Sequence, residues 1–388
     1  MNILQQIATY FCRRGGGGCK PPNISATATF STTLHVSATT AVAAVTAATT
    51  ADISYNVLSA AAAAPAEDDI PAPVPASVQH AITINSPIEN KLHVISVISN
   101  PCNFKKRYKL AREYIERMEN TPDVILYIVE LCYGNQPFAI TDPNNPRHLQ
   151  LRTTAPPLWH KENMINIGVR RLLPPDWRAF AWIDADVDFD TPHWARDTLK
   201  ILNYKDIVQV FSHAVDMAAD ETTMNVYNSF GFQHCKGLPY TYKFPNYWHC
   251  GYGFAYTRAA YEKMGGIFDL GILGASDHIM TFCFIGKGAQ SVTGDYTEDY
   301  KQSVTDFENR ARGLTLGYTP AVIRHFFHGA KANRRYVERN KILFDHKYSP
   351  RLHLTCDENG LYIPTADFTP EFARDIKEYF MQRNEDED

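Results

Sequence analysis

The chain lacks a cysteine framework. Its eight cysteines (Cys12, Cys19, Cys102, Cys132, Cys235, Cys250, Cys283 and Cys356) contain no CxxC pair and follow no regular spacing. Neither a disulfide scaffold nor a zinc ribbon is expected, and the thiols read as reduced in an intracellular protein. The dipeptides His234-Cys235 and His249-Cys250 fit no standard finger spacing. A basic excess is also missing: 38 Lys and Arg face 42 Asp and Glu, a formal charge of −4. Nucleic-acid binding usually demands a basic face, so no nucleic-acid partner is expected. There is no leucine-rich run of membrane-spanning length. Residues 21–51 carry no formal charge and are long enough to cross a bilayer, but their alanines, threonines and serines make a poor span. No apolar stretch suits a secretory signal. No Asp or Glu precedes Asp52, yet arginine is too scarce there for an organellar transit peptide. The expected location is the cytoplasm, with targeting by the N-terminal tail as the alternative.

What is present divides in two. Residues 1–85 run through "RRGGGGCKPP", an Ala/Thr/Ser tract and the Pro-rich "APAEDDIPAPVPAS". Such a segment cannot bury enough large side chains to offset its ordering entropy, so it reads as a disordered tail and linker. Residues 86–388 read as one α/β domain. "KLHVISVIS" is an apolar, β-branched strand ending at Asn100-Pro101, and "KRYKLAREYIERMEN" has Tyr108, Ala111, Ile115 and Met118 at helical spacing. "DVILYIVELCYG" is a second strand, giving a βαβ unit with parallel, right-handed connection. "LWHKENMINIGVRRLL" follows as a helix. "KDIVQVFSHAVDM" reads as one strand, "GYGFAYTRAAYEKMGG" as strand into helix closed by Gly265-Gly266, and "SDHIMTFCFIG" as a helix with Ser276 at its N-cap.

The most informative stretch is "AFAWIDADVDFD", residues 179–190, where an apolar strand runs into Asp184, Asp186, Asp188 and Asp190. Ligands of open α/β sheets bind at the carboxyl ends of strands. Carboxylates so close repel unless a cation sits among them. A hard cation, Mg²⁺ or Mn²⁺, takes carboxylate oxygens while keeping sites for a diphosphate. Side chains two apart in extended backbone project to the same side, so Asp184 and Asp186 are expected to share one ion. Asp188 and Asp190 read as solvated, Asp190 being placed to cap the "TPHW" helix. Asp277, in "LGILGASD", can bring a general base to the mouth of the site, or simply complement a helix dipole. His325 and His328 of "VIRHFFHG" are neutral nitrogen ligands for the same ion. On a strand, residues three apart face opposite sides, so one of the two is expected to bind. Lys331, Arg334, Arg335 and Arg339 can neutralise a diphosphate, at least half of them being expected on a solvated helix face instead.

In order, "HVISVIS-NP", "ILYIVEL", "LWHKENMINIG", "WIDADV", "GYGFAYTRAAYEKMGGIFDLGILGASDHIM" and "IRHFFHG" resemble the GT-A glycosyltransferases over about residues 90–350. The likeness is to family 2-like enzymes, with features of the C-terminal region of β-1,4-type galactosyltransferases. It implies a Rossmann-like, mainly parallel sheet flanked by helices, and a metal-dependent transfer of sugar from a nucleotide-sugar donor, UDP-sugar favoured, with inversion. The acceptor would be a hydroxyl of a glycan, lipid or protein. By the same resemblance Asn100, Pro101, Glu130, Lys161, Asn163 and Asp184 would bind the donor. Asp184 and Asp186 would hold Mn²⁺ or Mg²⁺ with His325 or His328, and Asp277 would be the base. The usual acidic box reads "ASDH" here, so Asp277 lacks its acidic neighbour. Trp248 and Tyr252 of "YWHCGYGFAY" could stack a sugar acceptor. Two rivals are a haloacid-dehalogenase-like phosphatase using "DADV" and a non-catalytic carbohydrate-binding protein on the same scaffold.

Overall fold

Short-range pattern accounts for most of the elements seen in a computed structural model, which describes residues 86–240 and 248–387. The tail assigned to residues 1–85 lies outside the described residues. In chain order the strands are β1 (Leu92–Ser99), β2 (Val124–Tyr133), β3 (His148–Thr153), β4 (Ala179–Ile183), β5 (Val187–Phe189), β6 (Ile207–Gln209) and β7 (His213–Met217). Next come β8 (Thr223–Ser229), β9 (Trp248–His249), β10 (Gly253–Thr257), β11 (Leu316–Tyr318), β12 (Val322–His325), β13 (Leu354–Cys356) and β14 (Tyr362–Pro364). The helices are α1 (Lys105–Glu119), α2 (Lys161–Leu172), α3 (Trp194–Ile201), α4 (Phe230–Cys235) and α5 (Arg258–Met264). They continue with α6 (Ser276–Phe284), α7 (Glu298–Ala311), α8 (Asn340–Asp345), α9 (Pro350–His353) and α10 (Pro370–Gln382).

The fold is mixed α/β. A seven-stranded sheet has the order β11-β6-β10-β4-β1-β2-β3. All its neighbours are parallel except where β10 runs antiparallel between β4 and β6. Period-2 alternation sorts its side chains onto two faces. Ile95, Val129, Phe180 and Trp182 pack toward α2, α5, α6 and α7. Val94, Ile128, Ala181 and Ile183 pack toward α1 and α3. Gly168 lets α2 lie close on the sheet, since a Cβ there would sit 3.0 Å from Val129 Cγ2 and 3.1 Å from Ile95 Cγ2.

A second sheet has the order β5-β12-β7-β8-β9. Sequence pattern read "KDIVQVFSHAVDM" as one strand. It is two, in different sheets: β6 ends at Gln209 and β7 begins at His213. The break is held by Ser212, whose N–H and hydroxyl both donate to Ala321 O, at 2.7 and 2.9 Å. Gly265 (φ +74) and Gly266 close α5 as expected, their N–H groups donating back to Glu262 O and Tyr261 O. Ser276 does not cap α6: it is the first helical residue, buried, and Ala275 (φ +72) holds the cap position.

Candidate functional site

The ends of β1 and β4 and the turn after β12 open into a cavity of about 1010 Å³. Asn100, Pro101, Lys161, Asp184, Asp186, Trp248, Tyr252, Asp277, His325 and His328 all line it. Glu130 and Asn163, both expected to bind a donor, do not.

Glu130 is 1% exposed and its carboxylate is fully engaged. It accepts from the backbone N–H groups of Ala139 (2.8 Å) and Thr141 (2.8 Å), from Ile140 N and from the Thr141 hydroxyl (2.6 Å). It anchors the loop after β2. Asn163 faces away from the cavity as well, donating to Gly360 O at 3.2 Å and accepting from Tyr362 N at 3.1 Å. It ties α2 to the C-terminal hairpin. Asn100 lines the wall, but its amide is spent on the turn after β1, bridging Phe104 N (3.0 Å) and Phe104 O (2.9 Å).

The four aspartates go to four different partners. Because β4 stops at Ile183 and a turn occupies 185–186, extended alternation no longer holds and Asp184 and Asp186 diverge. Asp184 forms an ion pair with Lys161 Nζ. Asp186 Oδ2 lies 2.9 Å from His328 Nε2 and 3.8 Å from His325 Nε2. Asp188 lies 3.4 Å from Arg117 Nε, and Asp190 pairs with Arg324. Asp190 is not a helix cap: His193 occupies the N-cap of α3.

Among the described residues, Asp186, His325 and His328 form a group whose potential ligand atoms all lie within 4.8 Å of one another. Asp184 is outside it. Both histidines belong to it, against the expectation of one, because β12 ends at His325 and the chain then turns, so strand alternation does not separate them. Phe326 N donates to Asp186 O at 2.9 Å, which fixes this turn beside the aspartate. The donor set suits a divalent cation: one carboxylate, two imidazoles, and a buried Asp186 Oδ1 with no hydrogen-bond partner. Burial opposes ionisation of Asp186, yet the two imidazoles hold its carboxyl well below the ordinary range. Arg334 Nη2 also approaches His328 Nε2 to 2.7 Å, so an incoming ion would displace it.

Asp277 stands on the cavity wall at the first turn of α6, accepting from His278 N at 2.8 Å. Burial alone would raise its pKa; Lys161 and that N–H outweigh burial and hold it low, so it is ionised at neutral pH. Burial drives His249, on the same wall, down to about 3, which leaves it neutral. A Cβ at Gly251 would meet Asp277 Oδ2 at 2.8 Å, so a side chain there would displace the carboxylate. Trp248 and Tyr252 are 6% and 5% exposed, and one face of each ring is covered. Tyr252 stacks on His249 with centroids 3.9 Å apart, and Trp248 stacks on His278 at 6.0 Å. Of the basic cluster, Lys331, Arg334 and Arg339 line the cavity, while Arg335 is exposed and donates to Gln382.

Three acids escaped the sequence reading. Glu162, beside Lys161, is 3% exposed and lines the cavity; burial raises its carboxyl to about 8, with Lys161 opposing and Asp277 adding to the rise. Its signal was an acid among the apolar positions of "HKENMINIG". Asp216, a lone acid in the apolar "HAVDM", accepts from His325 Nδ1. Glu385 is 1% exposed and receives Arg107 Nε and Arg383 Nε, each at 2.8 Å, with His328 Nδ1 at 3.6 Å. It lies in the acidic "NEDED", which reads as solvated tail.

No family model and no curated protein matches the chain. Among solved structures, the chain is similar to a Desulfovibrio desulfuricans protein described as a nucleotide-diphospho-sugar transferase. The two share 12% identity over 76% of this chain and 99% of that one, with a TM-score of 0.28. A second is the Drosophila β-1,4-galactosyltransferase 7 in complex with manganese, UDP-Gal and xylobiose (8% identity, 71% and 96% covered, TM-score 0.31). A third is TarS of S. aureus (11% identity, 57% and 71% covered, TM-score 0.30). Likeness at this level decides neither substrate nor reaction. No helix among the described residues is long and apolar enough to cross a membrane.

Proposed function

We propose that residues 86–388 form a metal-dependent glycosyltransferase that moves a sugar from a nucleotide-sugar donor, UDP-sugar favoured, to a hydroxyl acceptor with inversion. The observation carrying this reading is that one cavity holds the Asp186–His325–His328 donor set, the ionised Asp277 and the cations Lys161, Lys331, Arg334 and Arg339. At about 1010 Å³ it can take a nucleotide with a sugar attached, at the upper end of ordinary small-molecule sites.

Asp186, His325 and His328 would hold the Mn²⁺ or Mg²⁺, which when bound supplies Lewis-acid stabilisation of diphosphate charge. Lys331, Arg334 and Arg339 add fixed positive charge where the leaving nucleotide diphosphate gains an electron pair. Asp277 accepts the proton of the acceptor hydroxyl as its oxygen bonds to C1 of the sugar and the C1–O–phosphate bond breaks. Lys161 helps hold Asp277 low and opposes the burial that raises the Asp184 carboxyl; burial lowers its own pKa, but Asp184, Glu162 and Asp277 outweigh burial and raise it. The phosphatase reading needs a free aspartate nucleophile at the end of β4. Asp184 is ion-paired with Lys161 and Asp186 lies in the histidine cluster, so neither carboxylate stands free for that role.

The test is thermal melting of the full chain against UDP-, GDP- and CMP-sugars, each with and without Mn²⁺. A ligand at a hundredfold its Kd stabilises by about 2.7 kcal/mol, a shift of several degrees at roughly 2–4 °C per kcal/mol. A metal-dependent shift for one donor class supports the reading. No shift for any donor refutes it; glycan binding without donor affinity would turn the assignment to a silent sugar binder.

A further inference from the structure

We propose that Asp216 is a positioning residue for the metal centre: it fixes the tautomer and orientation of His325, so that Nε2 presents its lone pair to the ion. The proposal rests on the metal reading above. It comes from the register of the second sheet, in which β12 and β7 run parallel with His325 directly opposite Asp216, and β5 brings Val187 opposite His325 on the other side. Three adjacent strands therefore set carboxylate, imidazole and the Asp186 turn in one row.

The distances assign the proton. Asp216 Oδ1 lies 2.7 Å from His325 Nδ1, a short, charge-assisted separation. An ionised carboxylate only accepts, so Nδ1 must be the donor. In a neutral ring the proton on Nδ1 leaves Nε2 as the acceptor. That nitrogen lies 3.8 Å from Asp186 Oδ2, too far for a hydrogen bond, and so is not committed to the aspartate. Tyr252 packs against the ring at 4.7 Å between centroids, which restricts its rotation. Asp216 is itself 1% exposed and its other oxygen is ion-paired with Lys331 Nζ. A carboxylate buried this deeply in a strand, bonded to the far nitrogen of a candidate ligand, has the arrangement that orients metal-bound histidines and raises their basicity.

The competing explanation is that Asp216 exists to hold Lys331, which also donates to the Tyr227 hydroxyl at 2.9 Å. The two explanations separate under substitution. Mn²⁺ would be titrated into the full chain with free ion followed by its EPR signal, for wild type and for Asp186→Ala, Asp216→Asn, Asp216→Glu and Lys331→Met, and each metal-free variant would be melted. Losses of outer carboxylates typically cost 10–100-fold in metal affinity. Asp216→Asn is expected to weaken Mn²⁺ binding within that range, Asp216→Glu to recover most of it, and Lys331→Met to leave it unchanged or tighter. Equal weakening by Asp216→Asn and Lys331→Met would assign the effect to the ion pair and overturn the proposal. So would wild-type affinity in Asp216→Asn while Asp186→Ala abolishes binding, an outcome that keeps the metal centre itself. Absence of Mn²⁺ binding by the wild-type chain would remove the metal reading and this inference together.

Discussion

Glu162 provides the clearest quantitative test of the cavity electrostatics. Its carboxyl is moved from an ordinary 4.5 to about 8, first by burial and then by the negative field of Asp277, with Lys161 only partly offsetting them. The folded state therefore binds a proton at Glu162 that the unfolded chain releases between pH 4.5 and 8. Stability changes with pH as the protons bound unfolded minus those bound folded, and that difference is negative here. This group's contribution is thus present below the ordinary pKa and is lost as pH rises to about 8. At about 1.36 kcal/mol per pH unit the full loss is about 5 kcal/mol, an upper figure because relaxation and water entry reduce it. Glu162→Gln keeps the size and the neutral state but cannot ionise. Urea unfolding of both proteins, without metal, should show the stability of the variant relative to wild type rising steadily from pH 5 to pH 8. Beyond pH 8 the difference should level off. A difference that stays flat over that interval would show Glu162 to be ionised and solvated, and would undo the assignment of a buried, protonated carboxyl to the cavity wall.

Three further outcomes follow from the geometry. Asp277→Asn should bind nucleotide sugar as wild type does yet turn over about 10²–10⁴-fold more slowly, measured by donor titration and initial rates; undiminished turnover would remove Asp277 from the mechanism. Gly251→Ala would place a Cβ 2.8 Å from Asp277 Oδ2 and 3.0 Å from His249 Cε1. It should lower kcat with little change in melting temperature, and full activity would mean that Asp277 tolerates displacement. Glu130→Ala strips a buried carboxylate from the N–H groups of Ala139, Ile140 and Thr141. Each buried donor left unpaired costs about 1–3 kcal/mol, so stability should fall by several kcal/mol while donor affinity per folded molecule holds; a selective loss of donor affinity would restore Glu130 to the binding site.

The β1-α1-β2 unit was legible because its signals are local. "LHVISVIS" and "VILYIVELCY" are buried on both faces and flank a helix with Ala111 and Met118 on its inner side. The position of Asp186 at the carboxyl end of a buried strand was legible for the same reason. Misreadings arose where a local rule was carried past the end of its element. Alternation was extended beyond Ile183 to join Asp184 with Asp186, and beyond His325 to separate it from His328. Glu130 and Asn163 read as donor-binding residues in sequence because both are polar and stand beside informative strands and helices. Their real partners, a loop nine to eleven residues on and a hairpin nearly two hundred residues on, leave no periodic trace.

The same logic explains why the candidate ligands are legible in the sequence and their supports are not. A ligand to an ion must be a particular residue type at a strand end, so composition and position together expose it. A supporting carboxylate has to satisfy only one nitrogen from a neighbouring element. Asp216 reaches His325 through strand register, across 109 residues of sequence, and Glu385 approaches His328 from beyond the last helix. The candidate ion centre thus draws on the turn after β4, on β7 and β12, and on the segment after α10. Stability and ion affinity should therefore be coupled through pieces far apart in sequence. Substituting Arg383, which donates to Glu385 at 2.8 Å, removes a positive charge from the neighbourhood of His328 and is expected to leave Mn²⁺ binding unchanged or tighter. Weaker binding in a Mn²⁺ titration of Arg383→Gln would refute this charge argument and give Arg383 a structural part in holding the segment after α10 beside His328.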